Sequence, residues 1–191
     1  MTISLVSICN MSLSQLGATE ISDLGTNGRN AKLCNMFIEP TIDEILRLHP
    51  WNCAYCRKTL AELSEAPDFG YGHKYALPAN PYCLRALRIN EDWRYKFRVE
   101  GRELLTDEAT SVNLEYIKRI VNPSEFDSLV VTVIVSRLAW RLAYPVTQST
   151  QIRESALSEF RVALSEARAA DAQEGTAEEF TTSSWLDSRL L

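Results

Sequence analysis

The spacing of apolar residues changes twice along this chain of 191 residues, and this change constrains the fold more than any other feature. Both ends show the three-to-four-residue spacing of amphipathic helices, whereas the middle holds short runs rich in β-branched and aromatic residues. Helices and strands must therefore pack together. We predict an α+β fold: mainly a bundle of about four helices, with a small antiparallel β-sheet inserted between helices 2 and 3, and an extended C-terminal arm.

The first two helices are predicted by apolar stripes with recognisable ends. Residues 4–16 form the first helix, and Gly17 ends it because glycine readily adopts the left-handed conformation that follows many helices. The second helix runs from about Arg29 to Leu48. His49-Pro50 ends it, since the residue before a proline avoids helical dihedral angles. Residues 51–63 are ambiguous, and one interpretation is a bent continuation that becomes helical again.

The inserted sheet is predicted where short apolar runs alternate with turn signals. Asn80-Pro81 and Glu100-Gly101-Arg102 are two of these signals. The run from Leu84 to Asn90 alternates, although both of its alternating sets include apolar side chains. We predict five strands: Lys74–Leu77, Leu84–Asn90, Tyr95–Val99, Glu103–Thr106 and Val112–Tyr116.

A strongly apolar segment predicts the central helix of the bundle. Asn122-Pro123 marks its start, because asparagine is a favoured N-cap and proline suits the first helical turn. Pro145 marks its end. The last helix follows from about Thr150 to Ala172, and its stripe contains several alanines that permit close packing.

Three aromatic residues are predicted to lie in the core. Trp140 falls on the same side of the central helix as Val133 and Arg137, so we expect it to be buried against the last helix near Phe160. Trp51, directly after the second helix, is predicted to be the third core aromatic residue.

These segments predict one domain followed by an arm. The domain spans residues 1–172, with helices at 1–66 and 122–172 and the sheet at about 74–118. A chain of this size buries enough surface to fold without disulfide bonds. Residues 173–191 form the arm, because the polar composition up to residue 184 leaves too little apolar surface for folding alone.

The end of the arm contains the residue types that dominate many protein interfaces. Tryptophan and arginine contribute most often to binding energy, and leucines add apolar area. We predict that four residues dock on a partner: Trp185, Leu186, Arg189 and Leu190.

The charge of the chain argues against a protein dedicated to binding duplex DNA. The formal net charge is −5, whereas phosphate binding needs a concentrated excess of lysine and arginine. A basic band with interleaved aromatic residues runs from Arg85 to Arg102, and one interpretation is nucleic-acid stacking. Carboxylates within the band favour a solvated face or arginine–carboxylate pairing between subunits instead. We predict inter-subunit contacts by Arg88, Arg94 and Arg98.

The five cysteines and two histidines offer little for catalysis or metal binding. An odd number of cysteines at irregular spacing, with no basic leader, indicates free thiols in a reducing cytoplasm. Cys53 and Cys56 follow His49, but a single pair is a weak zinc signal, and packed thiols are the favoured interpretation. No catalytic or phosphate-binding motif is present, so we expect no enzyme, metal or cofactor. The apolar run Leu129–Val135 is too short for a membrane span.

Several segments are informative through their order and spacing. They are Leu13–Ala18 with Ile21-Ser22, Arg47–Asn52, Tyr75–Asn80 with Cys83–Arg85, Ala167–Glu174, and Trp185–Arg189. Together they resemble the tail tubular protein A family, the head-to-tail adaptors of tailed bacteriophages. The resemblance covers nearly the whole chain, from Ser7 to Arg189. Pro81-Tyr82 is a departure from the family pattern, and we expect the first strand of the sheet to bulge there.

The resemblance implies a structural connector and not an enzyme. Members form a ring, typically a dodecamer, beneath the portal protein, and DNA passes through its lumen during ejection without sequence-specific binding. The resemblance further implies that the helical bundle builds the wall and that the sheet faces the tail nozzle protein or the neighbouring subunit. The expected location is the neck of the virion tail, after assembly in the host cytoplasm, with the arm docked on the portal and no contact with membranes.

Two alternatives stay open from the sequence. One is a small intracellular metal-binding or regulatory nucleic-acid-binding protein that uses Cys53, Cys56 and the basic band. The other is a neck or completion protein of a long-tailed phage. Elemental analysis and salt-dependent DNA binding distinguish the first alternative from an adaptor.

Overall fold

The computed structural model describes residues 3–109 and 111–174, and within these residues helices lie at both ends and strands lie between them. The helices are α1 (Leu5–Gln15), α2 (Arg29–Leu48), α3 (Ser128–Thr147) and α4 (Thr150–Gln173). The strands are β1 (Tyr55–Leu60), β2 (His73–Ala76), β3 (Cys83–Ile89), β4 (Phe97–Glu100), β5 (Glu103–Thr106) and β6 (Val112–Lys118). The α+β class predicted from the sequence is confirmed.

The ends of α1 and α2 follow from local chemistry. Ser4 and Ser7 form a reciprocal capping box at the start of α1, in which the Ser7 amide donates to the Ser4 hydroxyl at 3.1 Å. Gly17, with a φ of +66°, ends α1 as predicted. His49 adopts an extended conformation and ends α2 before the proline, which confirms the predicted boundary.

Both ends of α3 differ from the prediction. Asn122 does act as an N-cap, but it caps a short 3₁₀ turn over Pro123–Glu125. The helix begins only at Ser128, where the Asp127 side chain accepts a hydrogen bond from the Leu129 amide at 2.7 Å. The helix also continues past Pro145 to Thr147. Proline already has a near-helical φ, so the last turn can include it with the loss of one hydrogen bond.

The segment 51–63 does not return to helix, and the predicted helical range of 1–66 is wrong there. Residues 55–60 form β1, which pairs antiparallel with β6 from Tyr55↔Ile117 to Leu60↔Val112. The partner strand is remote in sequence, so local periodicity could not indicate it.

The strands form two three-stranded antiparallel sheets, whereas one sheet was predicted. The inner sheet, which packs against the helices, has the order β1-β6-β3, and the outer sheet has the order β2-β5-β4. Irregularities in the β3–β6 register fall between Cys83 and Arg85 and between Ala86 and Arg88. These bulges change which face the following residues occupy, which explains the mixed alternation of this segment. The expected bulge therefore lies in β3 and not in the first strand of the inserted region.

Two hydrophobic cores divide the molecule into a helical body, formed by α1–α4, and a β wing, formed by residues 55–118. The body core surrounds α3 and includes the fully buried Trp51, as predicted. Leu84 and Ile117 of the inner sheet also belong to this core. The second core lies between the two sheets, and its buried members all come from the wing, among them Tyr75 and Tyr116.

Helix α3 is the central helix of the body. By length and composition it could cross a membrane, since its most apolar window has a mean hydropathy of 1.5. In this fold α3 packs against α1, α2 and α4, and 56% of that window is buried. These contacts are those of a core helix.

Trp140 is only half-buried, so the prediction that it is a buried core residue is wrong, although its position near Phe160 is correct. The Arg137 guanidinium lies between the two rings, 4.3 Å from the Trp140 centroid and 4.9 Å from the Phe160 centroid. Arg153 lies 5.0 Å from the Trp140 centroid. Phe160 is 6% exposed and is a core residue as predicted.

Candidate interaction surface

A cleft rich in arginine lies where the β wing meets the helical body. Its arginines come from four different places: the last turn of α2, strand β3, the β4–β5 turn and the residue after β6. We name it the arginine cleft, defined by Arg47, Arg85, Arg102, Arg119 and Tyr82. Its volume is about 490 Å³, and apolar side chains including Leu77 and Val99 complete its lining.

Tyr82 and two arginines form a stack at the centre of the cleft. The Arg102 guanidinium lies 4.0 Å from the Tyr82 ring centroid and that of Arg119 lies 4.7 Å from it. Arg102 also donates to the carbonyls of Cys83 at 2.7 Å and Pro78 at 2.6 Å. The guanidinium groups are therefore held in fixed positions before any ligand binds.

The cleft carries more positive than negative charge. Arg119 forms a two-pronged ion pair with Asp43, which raises the pKa of Arg119, and its Nε lies 2.8 Å from the Asp43 carboxylate. Arg47 instead donates to the Leu84 carbonyl, and Arg85 donates to the Arg47 carbonyl at 3.2 Å. Among the described residues, the other three arginines of the cleft have no carboxylate partner. Such a site suits a carboxylate or a phosphate.

The opposite face of the outer sheet is predominantly acidic. Neighbouring residues of a strand point to opposite faces, so Val99 lines the arginine cleft while Arg98 and Glu100 line the other side. We name this other side the acidic face. Its charged residues are Glu65, Asp68, Glu100 and Glu103, together with Lys74 and Arg98. Among the described residues the most exposed large apolar side chain is Phe69, at 89%, and it lies in the loop that borders this face.

The structure separates the three arginines predicted to contact a neighbouring subunit. Arg88 is engaged within the chain, with its Nε 2.5 Å from Glu115, a carboxylate that is only 2% exposed. Arg94 lies 3.5 Å from Asp92, and its side chain is 73% exposed. Arg98 belongs to the acidic face and is likewise exposed. Arg94 and Arg98 are thus the two with accessible side chains, and the inter-subunit role of all three stays a prediction.

Two of the four arginines of the cleft could be picked out from the sequence. Arg85 and Arg102 belong to the predicted basic band, whereas Arg47 and Arg119 were missed because only the tertiary fold brings them beside it. One signal was available: Asp43 and Arg47 lie four residues apart, which places both on one face of a helix.

A polar clasp joins the ends of α2 and α4. The Asp171 carboxylate lies 3.0 Å from His49 Nε2 and accepts a hydrogen bond from the Asn52 amide at 3.0 Å. The Asn52 side chain donates to the Asp171 carbonyl at 2.8 Å, and Arg168 donates to the Leu48 carbonyl at 3.1 Å. These contacts fix the end of α4, directly before the predicted arm.

The predicted docking residues of the arm lie outside the described residues. They are Trp185, Leu186, Arg189 and Leu190. Their contacts therefore stay a prediction.

The five cysteines are free thiols in this structure. Burial raises the pKa of the Cys53 thiol, and it also raises that of Cys83, so both favour the protonated form. In the part of the chain that the structure describes, no three histidine, cysteine or acidic side chains are grouped as a metal site would require.

Comparison with known proteins adds no relative. The sequence matches no protein-family model and no curated protein.

Proposed function

We propose that this protein is a structural head-to-tail adaptor of a tailed phage. Copies of the chain form a ring beneath the portal, join it to the tail nozzle, and surround the channel through which DNA leaves. The role is structural, requires neither catalysis nor a cofactor, and places the protein in the neck of the virion. The net charge of −5 suits a channel that must not grip passing DNA.

One observation carries the proposal: three of the segments on which the family resemblance rests meet at a single junction. Residues 47–52 are hydrogen-bonded to the segment 167–174: His49 and the Asn52 amide contact the Asp171 carboxylate, and Arg168 donates to the Leu48 carbonyl. Arg47 reaches the carbonyl of Leu84 in the segment 83–85. Segments without catalytic chemistry therefore have a common structural task.

A ring subunit needs its contact surfaces to be held in place relative to one another, and these contacts can do that. The clasp holds the end of α4, from which the arm begins, and the arginine contacts hold the wing to α2. The surface assigned to a neighbour and the end of α4 are thereby kept in a fixed relation. We assign the wing, including Arg94 and Arg98, to contacts within the ring and the arm to the portal.

Removal of the arm tests this assignment. We expect a chain truncated after Glu174 to retain its circular dichroism spectrum and to lose co-sedimentation with rings of the cognate portal. The paired substitution of Trp185 and Arg189 by alanine should act similarly, because these types dominate interface energy. Alanine at Ser183 and Ser184 is the matched control and should bind normally. Normal co-sedimentation of the truncated chain contradicts the docking role.

A further inference from the structure

We propose that the arginine cleft of one subunit receives the acidic loop of the next, with Phe69 as its apolar anchor. The acidic loop is residues 65–70, which border the acidic face. The partner is a second copy of this chain, joined head to tail. This inference rests on the proposed ring function and specifies which surfaces close the ring.

Charge is the first argument. The cleft offers four arginines against one aspartate, Asp43, whereas the acidic face offers four carboxylates against two cations. Glu65 is 86% exposed although it lies 3.3 Å from Lys74, so its carboxylate is accessible to a further cation. Guanidinium–carboxylate pairs supply both attraction and geometry at such an interface.

Shape and apolar surface are the second argument. Phe69 is exposed beside Asp68, a small aromatic knob next to a negative charge. The cleft combines a volume of about 490 Å³ with apolar walls and an exposed Tyr82 between two guanidinium groups. An aromatic ring packs well on such a wall through aromatic and cation–π contacts, while Asp68 meets an arginine.

The position of the two surfaces makes the contact intermolecular. Strand β4 separates them, since Val99 lines the cleft and its neighbours Arg98 and Glu100 line the acidic face. The loop of one copy therefore lies on the opposite face of the outer sheet from its own cleft. When the acidic loop of one subunit binds the cleft of another, the pair still has one unoccupied cleft and one unoccupied loop. Further subunits can therefore add until a ring closes.

A photo-crosslinking experiment tests the contact directly. A benzophenone-bearing phenylalanine analogue replaces Phe69 in the full chain, and isotopically labelled and unlabelled copies are mixed, free and on portal rings. We expect crosslinks between copies that end on the cleft, at Tyr82, Leu77 or Val99. Arg85→Glu, in an exposed cleft arginine, should lower the yield about tenfold, whereas Arg161→Glu on α4 should leave it unchanged.

Complementary variants test the head-to-tail arrangement. Asp68→Arg and Arg85→Glu each remove one half of the interface, so each alone should fail to assemble. Their mixture retains one intact loop and one intact cleft and should yield heterodimers in native mass spectrometry. Glu154→Arg on α4 is the control for the loop variant and should assemble normally.

The outcomes separate this inference from the proposed function. Crosslinks within one copy, to DNA or to the portal overturn the inference, as does their absence both in solution and on the portal. Portal co-sedimentation of the same samples reports on the adaptor role independently. Loop and cleft variants that assemble like wild type overturn the inference and leave portal binding as the measure of the proposed function.

Discussion

In the helical body two arginines beside the core meet a carboxylate, whereas the arginines of the cleft, where the β wing meets the body, meet mainly backbone carbonyls. Arg137 and Arg141 both bind Glu44 within the body. Arg47 and Arg102 donate to carbonyl oxygens, which orient a guanidinium without neutralising its charge. Charge thus completes the structure inside the body, whereas in the cleft it is left without full neutralisation by a carboxylate.

The two regions also differ in how much apolar surface they bury. Among the described residues, the body core has 24 buried members and the wing core has nine. Small sheets are marginal unless they pack on something. Here Leu84 and Ile117 join the body core, so the wing depends on the body for its stability. We expect substitutions in the body to act on the whole molecule and those in the wing to act locally.

The largest effect is expected from Trp51→Ala in the body. Trp51 is fully buried, donates its indole N–H to the Ile45 carbonyl at 2.8 Å, and packs edge-on against His49. Its truncation should lower the free energy of unfolding by about 3–5 kcal/mol in chemical denaturation. Trp93, 84% exposed in the wing, is the control, and its alanine variant should stay within about 0.5 kcal/mol of wild type. Equal losses of unfolding free energy in the two variants would contradict the difference between body and wing.

A smaller and local effect is expected from Glu115→Ala in the wing. The Glu115 carboxylate is 2% exposed and lies 2.5 Å from Arg88 and 3.7 Å from Arg57. Its loss removes the partner of a partly buried cation, which should cost about 1–3 kcal/mol. Hydrogen exchange should accelerate in β3 and β6 while α3 stays protected. Uniform acceleration throughout the body would show that the two regions unfold as one.

Trp140→Ala should cost less than Trp51→Ala because Trp140 is half-buried. Its ring loses cation–π contacts with Arg137 and Arg153, and a loss of about 1–2 kcal/mol is expected. Thermal melting of the variant measures it, with Trp51→Ala as the reference. A loss of stability equal to that of Trp51→Ala would mean that the contacts with Arg137 and Arg153 stabilise the fold as much as complete burial of the ring does.

The wing should lose stability at alkaline pH. Burial raises the pKa of Tyr75, Tyr116 and Cys83 in its core. An acid with a raised folded-state pKa stabilises the fold fully below its unfolded-state pKa, which is 9.0 for cysteine and 10.0 for tyrosine, and this stability is lost as the pH rises. Urea midpoints should therefore fall above about pH 9. Tyr75→Phe should flatten this dependence, and an unchanged slope would contradict the assignment.

Sequence reasoning succeeded where the signal was local. The bounds of α2 were predicted because a polar loop precedes Arg29 and His49-Pro50 follows Leu48. It failed where the cause was distant: β1 is a strand because β6 pairs with it, and Trp140 is covered by arginines of its own helix and the next. The same reason applies to the arginine cleft, of which Arg47 and Arg119 join the basic band only through tertiary packing.

The proposed division between a stable body and a wing that contacts neighbouring copies is tested most directly by electron microscopy of the full chain with and without the cognate portal. Negative-stain images should show a ring of copies beneath the portal, with adjacent copies in contact through their wings. Single copies scattered on the portal would contradict the role of the wing. A portal that stays bare, at protein concentrations where the chain is folded, would contradict the proposed adaptor function itself.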